Sequence, residues 1–334
     1  MRPVARLAIG YFMIKQHLVL ITYGEPPSSS FTEQLVYSWR ILQGLTRTVA
    51  DIPQAAIPFI ALSRARGRQR LWDANGYTSP LEPITLAQAA VIRDTLEQQE
   101  PGAWALHVAY EFRRPLLADV LRSLPSHEPA WVAPIYATDS AFTHELSRQA
   151  AIAVVAQRPR DIPVRVLPPL DIDLLAEISA QHLLRETGDA VAQLDTALVL
   201  AAHGTLLEPA RPIDTGRCGT ERLYGAIRQR VSSYFGLILN GWLNHTRGGR
   251  WTEPPIEQTL QRVSEAGFTK VVYYPFGFLA DNAESQLEGW LAAAARPELS
   301  VRFLPCLNDS RDLAAAIAGQ VLGRGQVGAR GARE

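Results

Sequence analysis

The stretch Leu198-Val199-Leu200-Ala201-Ala202-His203-Gly204 repeats the pattern of an earlier one, Leu18-Val19-Leu20-Ile21-Thr22-Tyr23-Gly24. Each is an apolar run that ends in a polar ring and a glycine, which is typical of a buried parallel strand whose carboxyl end delivers a side chain to the edge of a sheet. Tyr23 and His203 should therefore lie at equivalent edges of two similar halves. Because ligands of open α/β sheets bind beyond the carboxyl ends of the strands, two such edges facing each other predict one shared cleft.

The composition is that of a folded protein without net charge. The chain has 334 residues, of which 47% are hydrophobic and 20% charged, and its 33 basic and 33 acidic side chains cancel. This length favours two domains over one. Zero net charge provides no long-range field for nucleic acid, so no nucleic-acid partner is expected. With Cys218 and Cys306 as the two cysteines, neither a disulfide framework nor an iron–sulfur cluster is expected, and a cytoplasmic location is predicted.

Strand-like and helix-like segments alternate along the chain, which predicts an α/β fold with parallel sheets. We predict an N-terminal domain over residues 17–150, a C-terminal domain over 151–309 and a flexible tail over 324–334. A C-terminal helix over 310–323 is predicted to return to the first domain. Eight runs predict strands: Leu18–Thr22, Trp104–Ala109, Trp131–Tyr136, Val164–Leu167, Ala197–Ala202, Leu237–Leu239, Lys270–Phe276 and Val301–Leu304.

An insertion over residues 31–71 separates the first predicted strand from the helix that should follow it. The insertion is too long for an ordinary connection. It carries apolar residues between positions 52 and 62, followed by four arginines spaced two apart from Arg64 to Arg70. Two interpretations remain open. One is a helical hairpin packed on its own domain with a solvated basic end. The other is a lip over the cleft, in which residues 52–70 touch ligand carboxylates or make peripheral contact with the inner face of the membrane.

The densest group of polar residues follows the strand predicted over Lys270–Phe276. Asp281 is predicted to cap a helix, which would place Glu284 and Glu288 on one helical face because they are four residues apart. Two carboxylates kept together beside a cleft are suited to hold a cation, and a solvated helix face is the alternative. An imidazole accepts and passes on protons at neutral pH, so His203 with Glu284 would suit a reaction in which a metal ion enters as protons leave. A hydrogen-bonded histidine at a sheet edge is the simpler alternative for His203.

Five segments resemble motifs of the ferrochelatases, the enzymes that insert ferrous iron into a porphyrin at the end of haem synthesis. The likeness extends from about Leu18 to Val321, and the resemblance implies two Rossmann-like, chelatase-type domains with a porphyrin cleft between them. The last of the five segments is the most specific. They are Leu20–Pro26 (the first strand and its glycine turn), Gly76–Leu81 (like G-G-x-S-P-L), Ala202–Gly204 (like S-A-H-S), Gly241–Pro254 (like the W-L-x-P region) and Val272–Glu284 (like P-x-G-F-x-x-D-H-x-E).

The resemblance also implies roles for individual residues. His203 would accept the pyrrole protons, with Glu284 opposite it, as the catalytic pair. His203, Glu284 and Glu288 would handle the metal, with Glu288 on an acidic path into the site. No prosthetic group is expected, because ferrous iron is a substrate. Side chains expected to contact the porphyrin are Tyr23, Ser79, Tyr136, Trp242 and Phe278.

The sequence departs from the family pattern at several of these positions. Asn282 stands where the family usually has histidine, Gly204 and Thr205 replace serine and leucine, and Ala292 ends the acidic series. Two alternatives therefore stay open beside iron insertion: a chelatase for another metal or tetrapyrrole, such as cobalt, and a tetrapyrrole-binding protein without turnover. The ring could be protoporphyrin IX or coproporphyrin III. Four arginines could meet four propionates, whereas the long apolar insertion favours protoporphyrin.

Overall fold

The computed structural model describes residues 15–48, 52–157, 163–188, 193–244 and 249–323, which form two parallel sheets of four strands each. Each predicted strand is present, and the predicted α/β class is confirmed. The elements in chain order are β1 Gln16–Thr22, α1 Phe31–Thr48, a 3-10 turn Gln54–Ala56, α2 Ile57–Asn75, α3 Leu81–Gln99, β2 Trp104–Tyr110, α4 Leu117–Ser123, β3 Ala130–Pro134, α5 His144–Val155, β4 Val164–Val166, α6 Ile172–Thr187, β5 Gln193–His203, α7 Arg217–Val231, β6 Phe235–Leu243, α8 Ile256–Glu265, β7 Lys270–Tyr274, a π-helical turn Glu284–Glu288, α9 Gly289–Ala294, β8 Ser300–Phe303 and α10 Arg311–Val321.

The two sheets have the same strand order. The first is ordered β2-β1-β3-β4 and the second β6-β5-β7-β8, and all the pairings are parallel. The repeated segments therefore form the equivalent inner strands β1 and β5. Because all carboxyl ends of a parallel sheet lie at one edge, Tyr23 and His203 occupy matching positions beyond or at the ends of these strands.

Both faces of each inner strand are buried, as continuous apolar runs predict. Leu20 of β1 shares a hydrophobic cluster with Ile92 of α3, whereas the next residue, Ile21, points to the other face and packs with Leu121 of α4. Leu200 of β5 belongs to the same cluster as Leu20. The part of the chain built on each sheet is one half of the molecule. The cluster that contains Leu20 and Leu200 joins the two halves, and we call it the shared core.

The chain passes from the first half to the second later than the sequence indicates. Val164–Val166 pairs with β3, so the first sheet extends past residue 150, where the domain boundary was predicted. The crossing follows at Pro168 and Pro169, and α6 then packs on α7. The C-terminal helix α10 packs against α3 of the first half. Division of the chain into two domains at residue 150 stays a prediction, and the tail predicted over 324–334 lies outside the described residues.

The insertion forms a helical hairpin in which α1 packs against α2. Ile57 is buried in a small cluster with Leu42 and Ala61, so part of the apolar stripe is the hairpin's own core. Phe59, by contrast, is 75% exposed. Among the helices in the described ranges, none combines the length and the apolar character that a bilayer span requires.

Candidate active site at the facing sheet edges

His203 and Glu284 meet at the edge of the second sheet. His203 is the last residue of β5 and Glu284 is the first residue of the π-helical turn, called here the π-turn. The Nδ1 atom of His203 lies 2.6 Å from Oε1 of Glu284. Since a carboxylate can only accept, Nδ1 carries the proton, and Nε2 holds the basic lone pair. The His203 side chain is 47% exposed and that of Glu284 is 18% exposed, so the imidazole is accessible from solvent.

The π-turn begins with a different cap from the one predicted. The Oδ1 atom of Asn282 accepts a hydrogen bond from the backbone N–H of Glu284 at 2.9 Å. Asp281 is buried, and its carboxylate accepts instead from the backbone N–H of Cys306 at 3.0 Å and from Nδ2 of Asn308 at 2.9 Å. The prediction that Asp281 caps the helix is therefore wrong. Asn282, which stands where the family usually has histidine, caps the turn that carries Glu284.

Glu288 ends the π-turn on the same side as Glu284. Both side chains are partly exposed, while Ser285 and Leu287 between them are buried. Burial is the main effect that lowers the pKa of Arg64 in α2, and the negative charge of Glu288 opposes it, so these two groups are within electrostatic reach. Within the described ranges, no group of three or more histidine, cysteine or acidic side chains is arranged to hold a metal ion. The structure thus brings His203 and Glu284 together, and the role of Glu288 in metal entry stays a prediction.

Aromatic side chains line the edge of the first sheet. The ring of Tyr23 stacks on Phe112, with centroids 5.9 Å apart and an angle of 8°, and lies 4.8 Å from the ring of Tyr136. Tyr37 of α1 meets Phe112 edge-on at 6.3 Å. Burial raises the pKa of Tyr23, and the charge of Glu284 raises it further. Tyr23 at the first sheet edge and Glu284 at the second are therefore within electrostatic reach of each other.

Glu25 connects the two sheet edges. Its Oε1 atom accepts hydrogen bonds from Oγ of Ser79 at 2.6 Å and from the backbone N–H of Ala283 at 2.8 Å. Its Oε2 atom lies 3.6 Å from Nη2 of Arg68. Burial raises the pKa of Glu25, while Arg68 and the two hydrogen bonds oppose that shift. The hydroxyl of Ser79, predicted to contact the porphyrin, is therefore directed at Glu25.

The remaining side chains predicted to contact the porphyrin occupy different environments. Tyr136 is 8% exposed beside Tyr23, and Phe278 is partly buried in the loop after β7. Trp242 is 2% exposed and packs in the shared core. Contact of these residues with a porphyrin stays a prediction, and Trp242 is the one whose position supports it least.

Two residues of the site escaped the sequence analysis. Phe112 follows the carboxyl end of β2, so the rule that singled out Tyr23 could have found it. Glu25 had no comparable signal. Its backbone donor is Ala283, in a segment of the other half, and no local pattern links positions so far apart in the chain.

The model of the ferrochelatase family matches residues 15–324. The chain belongs to the ferrochelatase family. The ferrochelatase of Rhodopseudomonas palustris strain TIE-1 is 26% identical to this chain over 265 residues, which cover 74% of this chain and 73% of the relative. The ferrochelatase of Helicobacter pylori strain G27 is 25% identical over 281 residues, covering 78% and 79% of the two chains. The resemblance stated from the motifs is confirmed, and the protein is a chelatase of this family.

Solved structures with a similar fold are more distant in sequence. DR2241 from Deinococcus radiodurans, a multi-domain protein with structural similarity to chelatases, is 18% identical with a TM-score of 0.51. The alignment covers 96% of this chain and 56% of DR2241. SirB from Bacillus subtilis, solved with Fe3+, is 11% identical with a TM-score of 0.51, covering 93% and 96% of the chains. These similarities establish that the two parallel sheets form the chelatase fold.

Proposed function

We propose that the protein inserts ferrous iron into a porphyrin. The observation that carries this proposal is the contact between His203 and Glu284, with Nδ1 and Oε1 2.6 Å apart at the border of the cleft. Metal insertion exchanges one Fe2+ ion for the two protons of the pyrrole N–H groups. The site therefore needs a base and a cation ligand on the same side of the ring, and an imidazole beside a carboxylate supplies both.

The charge balance of the reaction follows from this pair. The basic Nε2 atom of His203 takes a pyrrole proton, and the resulting imidazolium is stabilised by the carboxylate of Glu284. Because the His203 side chain is 47% exposed, it can pass that proton to water and then accept the second one. The product is a neutral iron–porphyrin core, with two protons released for each ferrous ion that enters.

The opposite edge suits a flat apolar ring that carries carboxylates. Tyr23, Phe112 and Tyr136 offer aromatic surface for stacking. The Nε atom of Arg64 is buried and has no hydrogen-bond partner among the described residues, so it could meet a propionate. Arg68 is engaged with Glu25, whereas Arg66 and Arg70, the other two arginines of α2, are exposed. Of these four arginines, Arg64 is the one that is neither exposed nor paired with Glu25. One available arginine supports a ring with few carboxylates, and we therefore favour protoporphyrin IX over coproporphyrin III.

The exposed part of the hairpin motivates our second proposal, peripheral contact with the inner face of the membrane from the cytoplasm. Phe59 is 75% exposed, and Arg66 and Arg70 are exposed on the same helix. An apolar side chain near basic residues is typical of elements that rest on anionic lipid. Such a contact would allow a poorly soluble ring to reach the cleft directly.

The test of the proposed function is an anaerobic iron-insertion assay. Loss of porphyrin fluorescence is followed with Fe2+ and either protoporphyrin IX or coproporphyrin III, and then with Co2+ and Zn2+. We expect multiple turnovers with Fe2+, faster with protoporphyrin. His203→Ala should lower the rate by roughly 10²- to 10⁴-fold and still bind porphyrin. His127→Ala is the matched control, since this side chain is 77% exposed.

Three outcomes would contradict the proposal. Porphyrin binding without turnover would indicate a tetrapyrrole-binding protein. Turnover with Co2+ and not with Fe2+ would indicate a chelatase for another metal. A His203→Ala variant with more than half the wild-type rate would remove His203 from the mechanism.

A further inference from the structure

We propose that Glu25 is a positioning residue for metal insertion: from the first half of the molecule, it holds the π-turn that presents Glu284 to His203. The inference rests on the proposed function, since Glu284 is the residue whose position matters. Glu25 is 6% exposed, and its two carboxylate oxygens are occupied by Ser79, Ala283 and Arg68, so we assign it no direct contact with the ring or the incoming metal. Its effect on the reaction must therefore pass through the groups that it contacts.

The turn after β1 directs Glu25 into the protein. Gly24 has a φ of +71°, in the left-handed region that favours glycine. A Cβ atom at this position would lie 2.3 Å from Cβ of Tyr110, which leaves no room for any other residue. The chain therefore turns sharply between Tyr23, whose ring borders the cleft, and Glu25, whose side chain enters the interior.

The contact with Ala283 connects Glu25 to the catalytic pair. Ala283 directly precedes the π-turn, and its backbone N–H donates to Oε1 of Glu25 at 2.8 Å. A carboxylate that accepts from an N–H group at the start of a helical turn is stabilised by that turn and in return fixes it. The next residue is Glu284, whose Oε1 atom is 2.6 Å from Nδ1 of His203. One backbone step thus separates the buried acceptor from the residue that orients the base.

Glu25 is itself held in place from two sides. Ser79 donates its hydroxyl to Oε1 at 2.6 Å, and Arg68 lies 3.6 Å from Oε2. Arg68 is fixed in turn by Gln34, whose Oε1 atom accepts from Nε at 2.9 Å, and by the ring of Trp72, 5.2 Å from the guanidinium. A buried carboxylate needs such partners, and their number gives Glu25 a single defined geometry.

The two halves have other connections that do not involve Glu25. The Nε2 atom of Gln88 donates to the backbone oxygens of Leu279 and Asn308, each at 3.0 Å. The shared core adds apolar contacts between the sheets. Loss of the Glu25 carboxylate should therefore leave the halves together and release only the turn at Ala283. This separates a positioning role from a general role in folding.

The test compares Glu25→Ala and Glu25→Gln in the iron-insertion assay. A catalytic group displaced by about 1 Å can cost roughly 100-fold in rate, so we expect Glu25→Ala to lower kcat by about 10- to 100-fold. The KM for porphyrin should stay within about twofold, because Glu25 does not reach the ring. Glu25→Gln keeps an oxygen that can accept from Ser79 and Ala283, and should restore kcat to within about threefold of wild type.

Glu128→Ala is the matched control. Glu128 is 19% exposed and pairs with His17 at 2.5 Å, near the amino ends of the first-sheet strands and away from the cleft. Its loss should reduce stability and leave kcat unchanged. If Glu128→Ala slowed turnover as much as Glu25→Ala, the effect would be one of general stability and the positioning role would be wrong.

Hydrogen–deuterium exchange of the peptide over residues 281–290 provides a measurement that does not depend on activity. We expect exchange in this peptide to be about tenfold faster in Glu25→Ala, and unchanged in Glu25→Gln and Glu128→Ala. If the wild type inserted no iron, the proposed function would be wrong. The exchange measurement would still test whether Glu25 holds the turn at Ala283. Wild-type kcat or wild-type exchange in Glu25→Ala would overturn the inference, as would a Glu25→Gln variant as slow as Glu25→Ala.

Discussion

Replacement of Glu284 by glutamine tests the orientation and the charge of the catalytic pair together. Glutamine has nearly the same shape, so it can remain within hydrogen-bond distance of Nδ1 of His203. Its amide nitrogen can also donate, in which case Nδ1 becomes the acceptor and the imidazole proton moves to Nε2. His203 would then present an N–H group to the cleft where the mechanism needs a lone pair. We therefore expect slow turnover with intact porphyrin binding.

The size of the effect follows from the charge that glutamine removes. A carboxylate and an imidazolium whose charge centres are about 4 Å apart attract each other by about 4 kcal/mol at an effective dielectric constant of about 20. Because the His203 side chain is 47% exposed, water screens part of this attraction, and about 2 kcal/mol is a suitable lower value. Each 1.4 kcal/mol is about tenfold in rate, so kcat should fall by roughly 30- to 1000-fold.

The assay is single-turnover loss of porphyrin fluorescence at saturating Fe2+. Glu284→Asp keeps the charge at a shorter reach, and its rate should lie between those of wild type and Glu284→Gln. Glu257→Gln, on the exposed side of α8, is the control for loss of a carboxylate elsewhere. A Glu284→Gln rate within threefold of wild type, or an aspartate variant slower than the glutamine variant, would refute the reasoning.

Three further predictions concern other parts of the molecule. Glu288→Gln should raise the KM for Fe2+ by roughly three- to tenfold with little change in kcat, since Glu288 would act before the metal reaches the ring; a kcat as low as that of Glu284→Gln would show otherwise. Burial lowers the pKa of His144 from 6.5 to about 4, although Asp139 opposes the shift. The native protein thus binds fewer protons than the unfolded chain between these values, and its stability falls as the pH decreases. Between pH 7 and pH 5, the free energy of unfolding of the wild type should fall by about 2 kcal/mol more than that of His144→Phe, as measured by urea unfolding at both pH values. Equal decreases in the two proteins would contradict this. Phe59→Ser should reduce sedimentation with anionic liposomes at low salt, whereas equal binding of variant and wild type would mean that the hairpin does not use Phe59 to contact lipid.

Much of the fold could be predicted because its strands are buried on both faces. In a chain that alternates strands with helices, a continuous apolar run such as Leu198–Ala202 is best buried as an inner strand of a parallel sheet. The boundary between the halves was harder to place. β4 is short and partly exposed, with the sequence Val-Arg-Val, so the pattern does not show which sheet it joins. Its pairing depends on contacts with β3 that are distant in the sequence.

The candidate site was predictable where it depends on strand ends and less so where it depends on packing. His203 and Tyr23 follow from the position of the strands. The spacing of Glu284 and Glu288 fits an α-helix as well as a π-turn, and only the backbone distinguishes the two. Trp242 lies in a recognisable motif, yet its place in β6 beside Ala202 turns its ring into the core.

The return of α10 to α3 has a consequence for biosynthesis of the chain. Residues 311–321 leave the ribosome long after Ile92, yet Leu313 and Ile317 share the hydrophobic core with it. During synthesis the apolar surface around Ile92 therefore stays exposed until α10 has been made. A nascent chain at this stage should bind chaperones. Truncation before residue 311 should accordingly yield an aggregation-prone product rather than a smaller folded protein.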